Sequence, residues 1–115
     1  PAHQTLWLVR QIYFGRLAAL GYNPMLLDAD VVLFANPFKM ISSELPDYQA
    51  YLLNDVTAGN LQINGGTLYL RNADPNGPVV GIWKELERRV FDLLDPHRPF
   101  PTKTSGRTRG RPAVG

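Results

Sequence analysis

The chain has 115 residues, of which 44% are hydrophobic and 19% charged, so we expect one globular domain at most. It contains no cysteine, which excludes disulfides and thiolate metal sites. No apolar run approaches the roughly 20 residues that span a bilayer. Residues 1–95 hold seven Lys/Arg and ten Asp/Glu, whereas residues 96–115 hold five Lys/Arg and no acid. The excess positive charge therefore belongs to the C-terminal end.

The last twenty residues differ in composition from the rest. Residues 96–115 combine proline, glycine and arginine without apolar periodicity, which predicts a disordered basic tail after a domain at 1–95. Such a tail can contact nucleic acid or anionic membranes, but its composition favours a solvated, disordered end without a partner. The sequence starts at Pro1 without a methionine or a signal-like segment, so we expect a partial domain.

Two segments have the periodicity of helices. Residues 4–20 carry apolar side chains three and four positions apart, and Gly21 follows as a typical C-terminal stop. The stripe that we expect to be buried consists of Leu6, Val9, Ile12, Tyr13, Leu17 and Leu20. Residues 79–94 form a second amphipathic pattern, with the stripe Val79, Val80, Trp83, Leu86, Val90, Leu93 and Leu94. Residues 39–47 look irregular.

The remaining elements read as strands. The nearly continuous apolar run from Met25 to Phe34 predicts a central strand covered on both faces. Further strands are predicted at 48–54 and 67–71, a turn at 57–60 and a loop at 72–78. Helices that alternate with strands indicate an α/β fold.

Two acids interrupt the first apolar run. Asp28 and Asp30 are two residues apart, so in an extended strand they point to the same side. We expect them at the carboxyl end of the strand, where open α/β sheets bind ligands. Carboxylates are costly to bury unless they hold a cation or a proton, and their hard oxygens suit Mg²⁺ or Mn²⁺. The alternative is a pair of acids at a solvated strand end or turn.

The context of these acids is informative. The order is helix, Gly21-Tyr22-Asn23, apolar strand, Asp28-Ala29-Asp30, Val31-Val32 and Asn36-Pro37, followed by Asn64-Gly65-Gly66 at the start of a later strand. This order resembles the nucleotide-diphospho-sugar transferase family of plant and algal arabinosyl-, xylosyl- and galactosyltransferases. The resemblance covers about residues 5–95. It implies a GT-A, Rossmann-like domain with an Asp-x-Asp motif.

The resemblance also implies roles for individual residues. Asp30 would coordinate Mn²⁺ or Mg²⁺, and Asp28 would contact the nucleotide or sugar and touch the metal. Asn64, Gly65 and Gly66 would line the sugar pocket. For the two glycines a strand bulge is the alternative, and for Asn64 a backbone cap. Catalytic residues are not identified.

The family implies a metal-dependent reaction as well. A sugar would pass from a nucleotide-diphosphate sugar, expected to be UDP-linked, to a hydroxyl of a glycan or glycoprotein, with retention of configuration. The family location would be the Golgi lumen, with a membrane contact only through an anchor that this chain does not contain. We do not expect nucleic acid to be a partner.

Other polar and aromatic residues are further candidates for the site. GT-A enzymes often take a third metal ligand, commonly histidine, from a downstream segment, and His97 does not have the expected surroundings. Asp55 could face the cleft or cap a turn, and Arg71 could meet a phosphate or form a surface ion pair. Trp7 and Trp83 lie on helical stripes, which favours the core over a sugar platform.

Two further functions compete with glycosyl transfer. A haloacid-dehalogenase-like phosphatase would use Asp28 as nucleophile and Asp30 as general acid. Such enzymes continue with a small polar turn, whereas this chain continues with apolar Val31-Val32. The other alternative is an inactive fragment or binding module whose basic tail contacts phosphates.

Overall fold

The computed structural model describes residues 2–55 and 62–97, so the predicted turn at 57–60 and nearly all of the basic tail lie outside the described residues. The elements are α1 (Ala2–Ala19), β1 (Met25–Leu27), α2 (Pro37–Glu44), β2 (Ala50–Asn54), β3 (Ile63–Leu70) and α3 (Pro78–Leu94). The strands form one antiparallel sheet in the order β1-β3-β2. No helix in this part of the chain has the length and hydropathy to cross a membrane. The α/β class is confirmed.

The first strand is shorter and more peripheral than its apolar run predicts. Of the run from Met25 to Phe34, only Met25–Leu27 pairs with β3, and β1 is an edge strand. A turn at Asp28 ends the pairing, because the N–H of Val31 donates to the carbonyl of Asp28 at 3.1 Å. Beyond the turn the chain is open to solvent, and Phe34 is 98% exposed. The prediction of a central strand through Phe34 is therefore wrong: apolarity alone does not reveal where a turn removes the partner strand.

The core lies between the sheet and the helix pair α1 and α3. Its buried side chains are Phe14, Ala18, Leu68, Leu70, Val80 and Trp83. The rings of Phe14 and Trp83 pack at 5.3 Å between centroids. A Cβ added to Gly15 would lie 2.5 Å from the Cβ of Trp83, so the two helices approach closely at this glycine. The α3 prediction is confirmed within one residue at its start, although Leu93 and Leu94 are exposed.

The buried face of α1 differs from the predicted stripe. Phe14, Gly15 and Ala18 are buried, whereas Leu6, Tyr13, Leu17 and Leu20 are at least 43% exposed. Apolar residues of α1 are spread over most of its circumference, so their periodicity does not show which face is buried. The small residues select it, because only they allow the backbone to approach Trp83.

Residues that look irregular form a helix instead. Asn36 caps α2 with its Oδ1, which accepts from the N–H groups of Phe38 at 3.0 Å and Lys39 at 3.3 Å. Pro37 occupies the first turn, where its missing N–H costs nothing. The Asn-Pro pair that was expected only to end the strand therefore also starts a helix.

This second helix lies against the sheet face opposite α1 and α3. Phe38 packs edge-on against Tyr69, with 5.3 Å between the ring centroids. Tyr69 stacks on Tyr51, with 5.6 Å between theirs. Between α2 and the sheet is an open apolar groove of about 740 Å³, which reaches Leu27 and Val31 on either side of the Asp28 turn.

The outer face of α3 carries an ion-pair network. Glu85 accepts hydrogen bonds from Arg88 and Arg89, each at 2.8 Å, and Arg88 also pairs with Asp92 at 2.6 Å. The hydrogen bonds from Arg88 and then Arg89 lower the pKa of the Glu85 carboxyl to about 2. These groups are solvated and screened by salt, so their contribution to stability is small.

Two helical glycines test the close contact between α1 and α3. We expect Gly15→Ala to destabilise the protein by about 1–3 kcal/mol, because the new methyl group overlaps Trp83. Gly81→Ala in α3 is the control, since its added Cβ would point into open space. Removing a helical glycine there should stabilise by roughly 0.5–1 kcal/mol. Urea unfolding measures both, and a Gly15→Ala protein as stable as the Gly81→Ala protein would contradict the packing.

Candidate functional site

The predicted acid pair lies on a turn at the end of β1. The N–H of Asp28 donates to the carbonyl of Gly66 at 2.8 Å, which fixes the start of the turn to β3. Asp28 is at the first position of this turn and Asp30 at the third. Their place at the carboxyl end of the strand agrees with expectation. The extended geometry does not, because the chain has already turned, so the two-residue spacing no longer places both side chains on one face of a strand.

An arginine from α1 holds the first carboxylate. Arg10 Nη1 donates to Asp28 Oδ1 at 2.7 Å, and Arg10 Nη2 donates to the carbonyl of Gly65 at 3.1 Å. The Arg10 and Asp28 side chains are 24% and 39% exposed, so solvent screens the pair only in part. Charge-assisted hydrogen bonds of this kind are about twice as strong as neutral ones. The Asp28 side chain is therefore oriented before any ligand arrives.

The two glycines form a bulge in β3. Leu52 pairs with Leu68 and Leu53 pairs with Asn64, so residues 65–67 are extra on the β3 side. A Cβ on Gly66 would lie 1.8 Å from Asp28 Oδ2, which only a glycine avoids. The N–H of Gly66 donates to Asn64 Oδ1 at 2.7 Å. The bulge and the backbone-capping Asn64 were both alternatives in the sequence, and both are present here.

A glutamine connects this bulge to the core. Gln11 Nε2 donates to the carbonyl of Gly65 at 3.3 Å, and Gln11 Oε1 accepts from Trp83 Nε1 at the same distance. The Gly65 carbonyl thus receives two side-chain donors from neighbouring positions of α1. Both donors were missed in the sequence. The available signal was a polar Arg10-Gln11 pair between two apolar runs of α1, residues 6–9 and 12–14.

The two tryptophans have different environments. Trp83 is 8% exposed and belongs to the core, as predicted. Trp7 is 54% exposed, so its assignment to the core was wrong. Its ring lies against the site: the Arg10 guanidinium carbon is 4.9 Å from the ring centroid, and a Cβ on Gly65 would be 3.5 Å from Trp7 Cζ3.

The other candidates lie apart from this cluster. Asp30 is exposed, and no hydrogen bond or ion pair connects it to another residue in the described ranges. Asp55 is also exposed, and its N–H donates to the carbonyl of Gln62 at 2.6 Å. Arg71 donates to the carbonyl of Pro46 at 3.3 Å, and within residues 2–55 and 62–97 it does not form the expected ion pair. His97 is exposed beyond α3.

The turn offers two carboxylates as ligands for a divalent cation. Residues 2–55 and 62–97 contain no group of three or more His, Cys, Asp or Glu side chains placed to share a metal. Mg²⁺ and Mn²⁺ sites for phosphate ligands commonly use one or two carboxylates and complete their shell with phosphate oxygens and water. Two hard carboxylates on one solvent-accessible turn fit that pattern. They do not fit a metal held by protein alone.

Comparison with known proteins identifies the family of this chain. The family model described as nucleotide-diphospho-sugar transferase matches residues 1–94. The chain therefore belongs to this family of glycosyltransferases, which act on nucleotide-linked sugars. Searches of curated proteins and of solved structures found no significant match.

The contact between Gly66 and Asp28 can be tested by substitution. We expect Gly66→Ala to cost about 1–3 kcal/mol in urea unfolding, because the methyl group displaces the carboxylate and breaks its pair with Arg10. Gly65→Ala is the matched control, since its Cβ would make an ordinary 3.5 Å contact with Trp7.

A double-mutant cycle separates this clash from a general effect on the strand. Asp28→Ala removes the three atoms nearest to the added Cβ of Gly66, so adding Gly66→Ala to it should cost less than in the wild-type chain. Additive losses would show that Gly66 is required for another reason.

Proposed function

We propose that the Asp28–Asp30 turn binds the diphosphate of a nucleotide sugar together with Mn²⁺ or Mg²⁺, and that the chain takes part in sugar transfer to a glycan or protein hydroxyl. The observation that carries this proposal is the preorganised Asp28 carboxylate, fixed by Arg10 and packed on Gly66. Family membership supports the nucleotide-sugar donor. A UDP-linked donor, a GT-A architecture and the Golgi lumen remain part of the proposal.

Each residue of the site has a distinct task in this account. Asp30 is the exposed carboxylate that would take the metal directly. Asp28 contacts the nucleotide or sugar with Oδ2, the carboxylate oxygen that Arg10 does not bind, and can share the metal. Asn64, Gly65 and Gly66 bring backbone groups close to the donor sugar, because a bulge without side chains leaves room for a ligand.

Charge balance explains why a dication would be needed. The two aspartates and Arg10 leave the turn with one net negative charge, which by itself repels a diphosphate. A bound Mn²⁺ or Mg²⁺ supplies the positive charge that offsets the leaving diphosphate. The chain's own part is to hold the Asp28 carboxylate in place, to present the Asp30 carboxylate on the same turn and to position the donor against the acceptor.

The reaction proposed is retaining transfer. The bond between the anomeric carbon and the diphosphate oxygen breaks, the bond to the acceptor oxygen forms on the same face, and the acceptor proton leaves with the diphosphate. No protein base is assigned. The family match favours this chemistry over the phosphatase alternative, which would require Asp28 to attack phosphorus while paired with Arg10.

Calorimetric titration of the 115-residue chain tests the proposal. We expect UDP to bind at least tenfold more tightly with Mn²⁺ than without it, and Asp30→Asn to abolish that gain. Asp47→Asn, which removes the same charge from another exposed turn, should bind as the wild type does. Equal UDP binding with and without Mn²⁺, or a full gain in Asp30→Asn, would rule the site out.

A further inference from the structure

Trp7 is a large aromatic side chain that lies outside the buried core. It precedes Arg10 by three positions and Gln11 by four, so all three project from the same side of α1. It is nevertheless 54% exposed, whereas Trp83 on α3 is 8% exposed. An indole left half in water forgoes much of the apolar burial that such a side chain offers.

Its ring is held in place at the site. The Arg10 guanidinium carbon lies 4.9 Å from the ring centroid, and Gly65 adjoins the ring edge. Arg10 in turn is fixed by Asp28 at 2.7 Å and by the Gly65 carbonyl at 3.1 Å. Trp7 is therefore a positioned aromatic surface beside a carboxylate, a guanidinium and a carbonyl.

This combination suits one ligand chemistry. A sugar ring presents polarised C–H bonds on one face and hydroxyl groups around its rim. The negative face of an indole attracts the C–H bonds, and carboxylate, guanidinium and amide groups pair with hydroxyls. A purely apolar ligand would cover the carboxylate and the guanidinium without forming a hydrogen bond to them, which is costly. A bare phosphate would not use the ring.

We infer that Trp7, together with Arg10 and Asp28, forms a stacking subsite for a sugar ring. This inference rests on the proposed function, because it assigns a sugar to the Asp28 turn. The sugar is either the one carried by the nucleotide donor or the terminal ring of the acceptor. Both have the same stacking chemistry, and the experiment separates them.

Calorimetry on the chain measures how Trp7 affects the affinity for sugars. UDP, UDP-galactose and UDP-xylose are titrated with Mn²⁺, and galactobiose and xylobiose are titrated alone, into the wild type, Trp7→Ala, Trp7→Phe and Leu6→Ala. Leu6 is the control because it is a neighbouring apolar residue of α1 that is 64% exposed and has no aromatic ring to stack on a sugar. Loss of an aromatic contact should weaken sugar binding roughly three- to tenfold. Trp7→Phe should retain part of it.

Fluorescence gives a readout that a change in folding would not imitate. The chain has two tryptophans, so Trp83→Phe leaves Trp7 as the single reporter. Sugar stacking should shift the emission of Trp7 to shorter wavelength and protect it from iodide quenching. If Trp83→Phe does not fold, iodide quenching of the wild type reports the same event, because the buried Trp83 contributes little to it.

The outcomes separate the subsite from the proposed function. If Trp7→Ala weakens binding of the UDP-sugars but not of UDP, the subsite binds the donor sugar. If a disaccharide alone protects Trp7 from quenching, the subsite binds the acceptor. If UDP and Mn²⁺ bind but no sugar protects Trp7 and Trp7→Ala binds every probe normally, the subsite is wrong and the proposed function stands. Disaccharide binding at Trp7 without UDP binding supports the subsite alone. If no probe binds, both are overturned.

Discussion

The carbonyl of Gly65 and the carboxylate of Asp28 share one arginine, and the candidate site depends on this bridge. Arg10 ties α1 to the turn after β1 and to the bulge of β3 through two hydrogen bonds. The bulge opens β3 where the carboxylate must fit, since any side chain at position 66 would occupy its place. A helix, a turn and a bulge that are far apart in sequence therefore fix one another.

The same helix connects the site to the core. Phe14, Gly15 and Ala18 bury one face of α1 against the core, while Arg10 and Gln11, about one turn earlier, reach the bulge. Gln11 binds Trp83 with one atom and the Gly65 carbonyl with the other. Any shift of α1 on α3 would therefore move Arg10 away from Asp28, so core packing and site geometry are coupled.

The sequence predicted the parts of this arrangement that are local. Asp28 at the end of a strand, the Asn-Gly-Gly segment and helix α3 all follow from short patterns of residues. Turn and cap geometry is less visible: Asp28 begins a turn that shortens β1, and Asn36 starts a helix rather than only ending a strand. Both depend on single side-chain or backbone hydrogen bonds that periodicity does not detect.

The long-range contacts could not be predicted. The face of α1 that is buried depends on which residues fit against Trp83, and the apolar pattern of this helix allows several answers. Arg10 and Trp7 acquire their significance only because the bulge of β3, more than fifty residues later, lies beside them. A charged residue between apolar residues of a helix indicates a polar contact, but the sequence does not identify the partner.

The most direct test of the account is to locate Mn²⁺ on the chain by paramagnetic broadening of backbone amide signals, with UDP present. The account predicts that amides of the Asp28–Val31 turn and of Gly65 and Gly66 lose intensity at the lowest Mn²⁺ concentrations, before those of the acidic network on α3. Broadening that begins around Glu85 and Asp92, or that is unchanged by UDP, would contradict a nucleotide-metal site at the Asp28 turn.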